Sequence, residues 1–398
     1  DALPIWFGSA LMLAVSFFYL GSSQWKQVFS GYSHRDFTPV ERLMTEARVL
    51  WHYISLFFYP RAERFTLLYE YPISTHFFHP ITTLFSIVSW VGLIIGAWIF
   101  RTKYPVFSWS VGWYLTSHLI ESTILPLQIA FEHRMYIPSI ALTFGSMYLL
   151  LKSLSAIKVS HFLQLCTIVL IVITLGSATY IRNMDFRSVA SLYSADLKKY
   201  PDSKRLRLNL AIELNRMGKT TEGGEMLGVL SEEFPDDILV LQNWFSYLKI
   251  IQKKDLQAER VYQHIQKLLE QDKYVPYRDS KAIWQLSHYF LDHERPEDAL
   301  DLAKMLFKHF DYDEIWFFVG QCYVRMGDWN SALNSFYEAW KRNPTDPPVL
   351  YWYGKSLIIL GQVGKGCELL NVSANNKMNE KAAQRSLEYI ERYCRASF

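Results

Sequence analysis

The sequence predicts an all-α protein in two parts, a polytopic transmembrane helical domain followed by a helical-repeat solenoid. The mean hydropathy of the 398 residues is +0.02, a value that averages a strongly apolar first half with a polar second half. Several stretches of the first half have the roughly 20 apolar residues that a helix needs to cross a bilayer. The second half repeats a pattern of small and apolar residues. We therefore assign residues 1–183 to the membrane and residues 184–398 to the solenoid.

About five apolar stretches are candidates for transmembrane helices. In chain order they are residues 4–21, 81–100, 106–127, 136–151 and 162–180. The third contains His118 and Glu121, and the fourth is short. The chain begins at Asp1 without Met or a basic segment, unlike a signal peptide. We therefore expect further residues, including transmembrane helices, to precede it.

Basic residues in two short connections predict the orientation. Arg101 and Lys103 separate the second and third stretches, and Lys152 and Lys158 separate the fourth and fifth. Short loops rich in Lys and Arg stay in the cytoplasm. Alternation then places residues 22–80, the turn at 131–134 and everything after Arg182 on the extracytoplasmic side.

The first external loop, residues 22–80, contains a predicted interfacial helix at 41–59. Thr38 and Pro39 fit an N-cap and a first helical position. Apolar residues recur at helical spacing, namely Leu43, Ala47, Leu50, Ile54 and Phe57. The intervening residues are polar, namely Glu41, Arg42, Thr45, Glu46, Arg48 and His52. We expect the apolar face to lie on the membrane and the polar face to meet water.

A 34-residue repeat begins after Arg182. A unit that starts at Asp313 has the residues of a tetratricopeptide repeat (TPR) at the signature positions, namely Trp316, Val319, Gly320, Tyr323, Ala332, Phe336, Ala339 and Pro344. Further units start at Lys204, Ser280 and Pro347, and residues 191–200 look like the second helix of an incomplete first repeat. Residues 238–277 fit the register poorly, yet they must be helical to keep the stack continuous.

Composition excludes two classes of ligand. The net charge is +3 without a run of Lys or Arg, which argues against nucleic acid. The four cysteines show no metal-ligand spacing, so no metal site is predicted. Cys322, Cys367 and Cys394 of the solenoid either form one disulfide and one free thiol or act as small buried hydrophobes.

The densest polar cluster of the membrane half lies at the mouth of two predicted spans. Ionisable groups at such places are either functional or paired. In the functional interpretation, His133 and Arg134 bind the phosphate of a lipid-linked substrate and Arg48 assists from the predicted interfacial helix. The proposed substrate-binding residues are Arg48, Glu121, Glu132, His133, Arg134 and Tyr136. The alternative is a Glu/Arg network that braces a turn between two helices, and residue spacing favours neither.

Two segments resemble a known family. Residues 41–50 with Tyr69-Glu70-Tyr71-Pro72, and Glu121-Ser122-Thr123 with residues 131–139, are similar to segments of bacterial TPR-containing membrane proteins. Those proteins resemble the transmembrane-and-TPR-containing O-mannosyltransferases, which are GT-C type glycosyltransferases. The resemblance implies a GT-C-like fold in the bacterial inner membrane, with the TPRs outside and a polyprenyl-phosphate sugar donor. It also implies a catalytic acidic residue in an earlier external loop, which this chain does not contain.

Two functions follow as hypotheses. The first is a GT-C-like glycosyltransferase that moves a sugar from a polyprenyl-phosphate carrier to a protein or glycan acceptor, with the TPRs binding that acceptor. The second is a non-catalytic membrane-anchored scaffold whose TPR groove binds a protein partner of an envelope complex. Both imply membrane lipid and a protein as partners. Neither names a cofactor other than a lipid-linked sugar donor.

Overall fold

The protein is all-α in a computed structural model that describes residue 29 and residues 31–376 and 379–394, where no strand occurs. The first predicted span, residues 4–21, lies outside the described residues. By internal contacts the chain divides into two units, one up to Met226 and one from Leu227. The first unit therefore continues beyond the boundary at residues 183 and 184 that we predicted.

Seven helices belong wholly to the described part of the first unit. They are α1 (Pro39–Phe58), α2 (Thr82–Ile99), α3 (Pro105–Ser117), α4 (Tyr136–Ala156), α5 (His161–Asp185), α6 (Val189–Leu197) and α7 (Lys204–Arg216). Among the described residues, three helical segments are long and apolar enough to cross a membrane: α2, α4 with the 3-10 turn Glu132–Met135 before it, and α5. They match the second, fourth and fifth predicted stretches, and their insertion in a bilayer stays a prediction.

The helix predicted over 106–127 is shorter than expected, and the crossing of a bilayer by this stretch stays a prediction. Helix α3 ends at Ser117 after 13 residues, so it is about 20 Å long at about 1.5 Å per residue. A bilayer core is about 30 Å thick. Beyond the helix, Pro126 has no N–H to give, and backbone carbonyls between Glu121 and Ile129 accept hydrogen bonds from two arginine side chains instead.

The predicted start of α1 is confirmed. The Thr38 hydroxyl accepts a hydrogen bond from the Glu41 amide at 3.3 Å, and the Glu41 carboxylate accepts one from the Thr38 amide at 2.7 Å. The two bonds form a capping box, which satisfies donors that a helix start otherwise leaves free. Pro39 occupies the first turn, where its missing N–H costs nothing.

The predicted orientation of α1, with its polar face in water, is wrong. Arg42 and Glu46 are buried, whereas Leu43 is 44% exposed. The buried face also contains Met44, Thr45, Val49, Tyr53 and Leu56. Polar residues can occupy the buried face of α1 because other segments supply hydrogen-bond partners for them. Helix α1 therefore packs its polar face against the first unit, and its position at a membrane interface stays a prediction.

The solenoid consists of consecutive helices joined by short turns. Helix α8 (Thr220–Glu233) spans the boundary between the units. It is followed by α9 (Ile238–Ser246), a π-helical turn (Tyr247–Ile251), α10 (Asp255–Glu270), α11 (Pro276–Asp292), α12 (Pro296–Phe307), α13 (Asp313–Met326), α14 (Trp329–Arg342), α15 (Pro347–Ile359), α16 (Val363–Ala374) and α17 (Glu380–Tyr393). Residues 238–277 are largely helical, as predicted, and α6 confirms the helix predicted at 191–200.

Close contacts at small residues confirm the repeat register. A Cβ added to Gly320, the eighth residue of its unit, would lie 2.4 Å from Cε1 of Phe336. In the next unit, a Cβ on Gly354 would lie 2.9 Å from the carbonyl oxygen of Gly366. Real Cβ atoms do not approach so closely, so only glycine fits. The paired helices pack at these positions, as the signature requires.

Left-handed residues mark the turn inside each helix pair. Gly218, Gly327 and Gly361 have φ of 82°, 78° and 87°. The equivalent residues in the other two pairs are Lys253 and Glu294, with φ of 52° and 58°. The sequence register missed the pair around Lys253, because lysine does not signal a left-handed turn as glycine does.

The left-handed turns generate a prediction about stability. Glu294→Gly should raise the free energy of unfolding by about 1 kcal/mol, because Glu294 is exposed and glycine removes the Cβ strain. Gly327→Ala should lower it by about the same amount. Thermal unfolding of both variants measures the effects, and a destabilised Glu294→Gly protein would contradict the turn assignment.

Candidate functional sites

The first candidate site is centred on the buried side chain of Arg42 in α1. Its Nε donates to the carbonyl oxygen of Thr123 at 2.8 Å, and Nη1 donates to that of Leu127 at 2.6 Å. Its Nη2 donates to the carbonyl oxygen of Glu121 at 2.7 Å. The carbonyl oxygens of segment 121–129 thus accept hydrogen bonds from a guanidinium group. In a longer α3 they would have accepted them from backbone amides of the same helix. Arg42 is fully buried, so it holds this segment without access to solvent.

Arg134 holds the same segment from its other end. Its Nη1 donates to the carbonyl oxygen of Ile129 at 3.0 Å, and Nη2 donates to that of Gln128 at 2.7 Å. Its Nε lies 3.0 Å from a carboxylate oxygen of Glu121. All three nitrogens therefore have acceptors within the protein, and the Arg134 side chain is only 3% exposed. The geometry favours the bracing alternative, in which Arg134 and Glu121 hold a turn.

The carboxyl group of Glu46 lies between the two guanidinium groups. Its Oε1 lies 2.7 Å from Nη2 of Arg42 and 3.8 Å from Nη1 of Arg134. Burial raises the pKa of Glu46 to about 7, although Arg42, Arg134 and the hydroxyl of Ser122 oppose the increase. The carboxylate thus changes charge near neutral pH, inside a cluster that has no other buried acid on α1.

Aromatic residues attach α1 to the rest of the first unit. The indole Nε1 of Trp90 in α2 donates to the carbonyl oxygen of Ala47 at 2.9 Å. The phenol of Tyr114 in α3 donates to that of Leu50 at 2.7 Å. On α1 itself, the hydroxyl of Tyr53 accepts from the backbone amide after the braced segment, at Phe131, at 2.8 Å. These three hydrogen bonds fix the position of α1 relative to α2, to α3 and to the backbone at Phe131.

Glu132 belongs to a separate ion-pair network. Its carboxylate lies 3.5 Å from a guanidinium nitrogen of Arg182. Arg182 also lies 3.9 Å from Asp196, which is fully buried. Asp196 accepts from the backbone amide of Leu67 at 2.6 Å and pairs with Lys199 at 3.1 Å. The network ties the loop at Leu67 to the end of α5 and to α6.

The structure does not bring the remaining predicted residues into the Arg42 cluster. Arg48 donates to the carbonyl oxygen of Pro72 at 2.8 Å and lies over the ring of Tyr71. His133 stacks on the ring of Phe131, and Tyr136 is 80% exposed. A role of these residues in binding a donor phosphate stays a prediction.

Sequence reasoning did not assign the central roles to Arg42 and Glu46. Their spacing of four residues is a recognisable ion-pair signal on a helix. That signal is usually a surface feature, and the periodicity of α1 favoured the other face as buried. Only the acceptors from segment 121–129, about eighty residues later in the chain, show why both groups are inside.

The second candidate site is the surface formed by the first helices of the TPR pairs. In α11, the ring of Trp284 lies 5.0 Å from that of Phe318 in α13, and His288 lies 4.5 Å from the same ring. Trp284 is half-buried and His288 is exposed. Five tryptophans of the solenoid are half-buried, namely Trp244, Trp284, Trp316, Trp340 and Trp352. They combine packing with an accessible aromatic surface.

No family model matches the chain, and no curated protein matches it either. Solved structures of TPR proteins are similar to parts of it. The C-terminal part of a TPR repeat-containing protein from Cytophaga hutchinsonii is 14% identical, with a TM-score of 0.42 over 54% of this chain and 85% of that one. YrrB, described as a TPR protein with an unusual peptide-binding site, is 13% identical, with a TM-score of 0.39 over 50% and 100%.

Yeast Tom70 is 10% identical, with a TM-score of 0.37 over 76% of this chain and 58% of its own length. At such low identities and scores, these likenesses carry no argument about function. The TPR assignment rests instead on the packing of this chain at Gly320 and Gly354 and on its left-handed turns. Nothing in the comparisons indicates a GT-C glycosyltransferase.

The Arg42 cluster generates a prediction about pH. The pKa of Glu46 is raised from 4.5 to about 7 in the folded protein, so the stability is full below pH 4.5 and falls as the pH rises through 7. The change should be about 3 kcal/mol at most. In Glu46→Gln this decrease should disappear, because the amide does not ionise.

Chemical unfolding of the purified protein in detergent micelles at pH 5, 6, 7 and 8 measures the difference between the wild type and Glu46→Gln. Glu63→Gln is the matched control, because Glu63 is exposed in the same unit. We expect the control to keep the wild-type pH profile. An unchanged profile in Glu46→Gln would contradict the titration of Glu46.

Proposed function

We propose that the protein is a membrane-anchored scaffold whose TPR solenoid binds a segment of a protein partner on the extracytoplasmic side. The observation that carries the proposal is the accessible aromatic surface of Trp284 and His288, which pack over the buried ring of Phe318. Aromatic groups supply large contact areas in protein interfaces at little entropic cost. TPR solenoids offer such surfaces along an extended inner face.

Membrane anchoring is supported by the outer surface of α5. Seven of its apolar side chains are between 44% and 65% exposed, namely Leu163, Leu165, Val169, Leu170, Val172, Ile173 and Leu175. A continuous apolar surface of this kind is unfavourable in water and suits hydrocarbon. The same reasoning applies to α2 and α4, whose apolar side chains are largely outward too.

Two observations support an extracytoplasmic solenoid. Lys and Arg cluster in the connections that precede α3 and α5, which favours a cytoplasmic side for those connections. In the solenoid, Cys367 and Cys394 form a disulfide with Cα atoms 5.9 Å apart. Disulfides persist mainly in oxidising compartments. Trypsin added to sealed vesicles of known orientation tests the placement, because only a solenoid on the outer surface of the vesicle is digested.

Glycosyl transfer is the less supported alternative. It requires free cationic groups that face a lipid-linked phosphate, but the donors of Arg134 already reach Gln128, Ile129 and Glu121. Arg48 is also engaged, by Pro72 and Ser74. The observed contacts therefore account for these arginines without a donor sugar.

Site-specific photocrosslinking in living cells tests the scaffold proposal. A photoreactive amino acid in place of His288, which is exposed beside Trp284 and Phe318, should trap one partner reproducibly. The matched control replaces Asn334 in α14, which is exposed in the second helix of its pair. We expect little trapping there. Equal trapping at both positions, or none at His288, would refute binding at the first-helix surface.

A further inference from the structure

The last complete helix pair holds a lysine among four aromatic rings, which we call the Lys355 cage. The Nζ atom of Lys355 in α15 lies 4.8 Å from the ring centre of Trp352 and 5.4 Å from that of Tyr389. The rings of Trp329 and Tyr351 are each 5.9 Å away. A cation at such distances is attracted to the negative faces of the rings. The side chain is half-buried and therefore has a defined position.

The cage residues come from three segments that are fixed to one another. Tyr351 and Trp352 belong to α15, and Trp329 begins α14. Tyr389 belongs to α17 and contacts the ring of Tyr351 at 6.3 Å. A disulfide between Cys367 and Cys394 ties the end of α17 to α16. The segment that supplies Tyr389 is therefore attached covalently to α16 of the preceding helix pair.

No carboxylate pairs with the Lys355 ammonium within the described residues. Burial lowers its pKa, and the nearby Arg385 lowers it further. Arg385 is exposed on α17 and has no ion pair among the described residues either. Glu388 acts on Tyr351 but is not within ion-pair distance of Lys355. The cage thus concentrates two positive charges without compensation, which is costly for a partly desolvated ammonium.

Other cations over aromatic rings in the solenoid are compensated. Arg295 lies over Phe290 at 4.6 Å and also pairs with Glu259 at 2.8 Å and Asp298 at 2.7 Å. Arg342 lies over a tryptophan ring and pairs with Asp311 and Glu338 in the same way. Lys355 likewise lies among aromatic rings, but no acidic side chain of the described residues pairs with it. The comparison indicates that an acid from outside the chain completes the site.

We propose that the Lys355 cage binds a carboxylate of a peptide segment, with Lys355 and Arg385 as the cationic contacts. The aromatic rings would pack against the apolar part of the same segment. The inference rests on the proposed scaffold function and specifies the chemistry of the partner. The carboxylate comes either from an acidic side chain or from a chain terminus.

Fluorescence polarisation with the full chain in detergent micelles tests the cage. The probe is the fluorescein-labelled heptapeptide Gly-Ser-Glu-Glu-Leu-Glu-Glu, made with a free or an amidated C-terminus. Companion probes have Gln in place of each Glu. Binding that follows the glutamates identifies a side-chain carboxylate, and binding that follows the free terminus identifies the α-carboxylate. If the Gln probe with an amidated terminus binds equally well, the proposal is overturned.

Lys355→Met removes the charge and keeps an apolar stem in the cage. It should weaken binding of the acidic probe about tenfold or more, whereas Lys355→Arg should retain most of it. Lys365→Met is the matched control, since Lys365 is an exposed lysine of the neighbouring α16. We expect less than about twofold change in the control. Equal effects of Lys355→Met and Lys365→Met would overturn the site.

Near-ultraviolet circular dichroism of each variant separates loss of binding from loss of fold. If Lys355→Met unfolds, the retention of binding by Lys355→Arg and its loss in Arg385→Gln provide the same test without removal of the buried stem. Crosslinking at His288 distinguishes the two proposals. A partner trapped there without binding of the acidic probes would leave the scaffold intact and refute the cage alone.

Discussion

The hydrogen bonds from Arg42 to the carbonyl oxygens of segment 121–129 are the interaction on which the first unit depends. They satisfy backbone carbonyl oxygens of an irregular segment, and an acceptor of this kind that is left unpaired away from water costs about 1–3 kcal/mol. The carboxyl of Glu46 lies beside them, 2.7 Å from the same guanidinium. Helix α1 must consequently turn its polar face inward, and α2 and α3 attach to its backbone through Trp90 and Tyr114.

The same interaction explains which features of the first unit the sequence could predict and which it could not. Length and hydropathy identified α2, α4 and α5, because these helices need no specific partner to be recognised. They did not predict that α3 ends at Ser117, since backbone acceptors beyond it bond to Arg42 and Arg134, and no local pattern contains those contacts. The start of α1 was predictable from Thr38 and Pro39. Its buried face was not, because Arg42 and Glu46 are buried only as a bonded group.

The solenoid was more predictable because its rules are local. Gly320 and Gly354 sit where helices of one pair touch, and Gly327 and Gly361 sit where the chain turns. Where another residue replaces the glycine, as at Lys253, the sequence no longer shows the repeat register, although the chain still makes the left-handed turn. The Lys355 cage was not predictable, because its rings come from three separate helices. The two units thus differ in construction: one depends on long-range polar contacts, and the other depends on repeated neighbours.

Hydrogen exchange of Arg42→Met in detergent micelles tests the bracing role of Arg42 most directly. Methionine keeps much of the side-chain volume but removes every donor to segment 121–129. Amides of residues 119–131 should then exchange much faster, while those of α13 and α14 in the solenoid should keep the wild-type rate. Wild-type protection of residues 119–131 in Arg42→Met would contradict the account, because the segment would then hold its shape without the guanidinium.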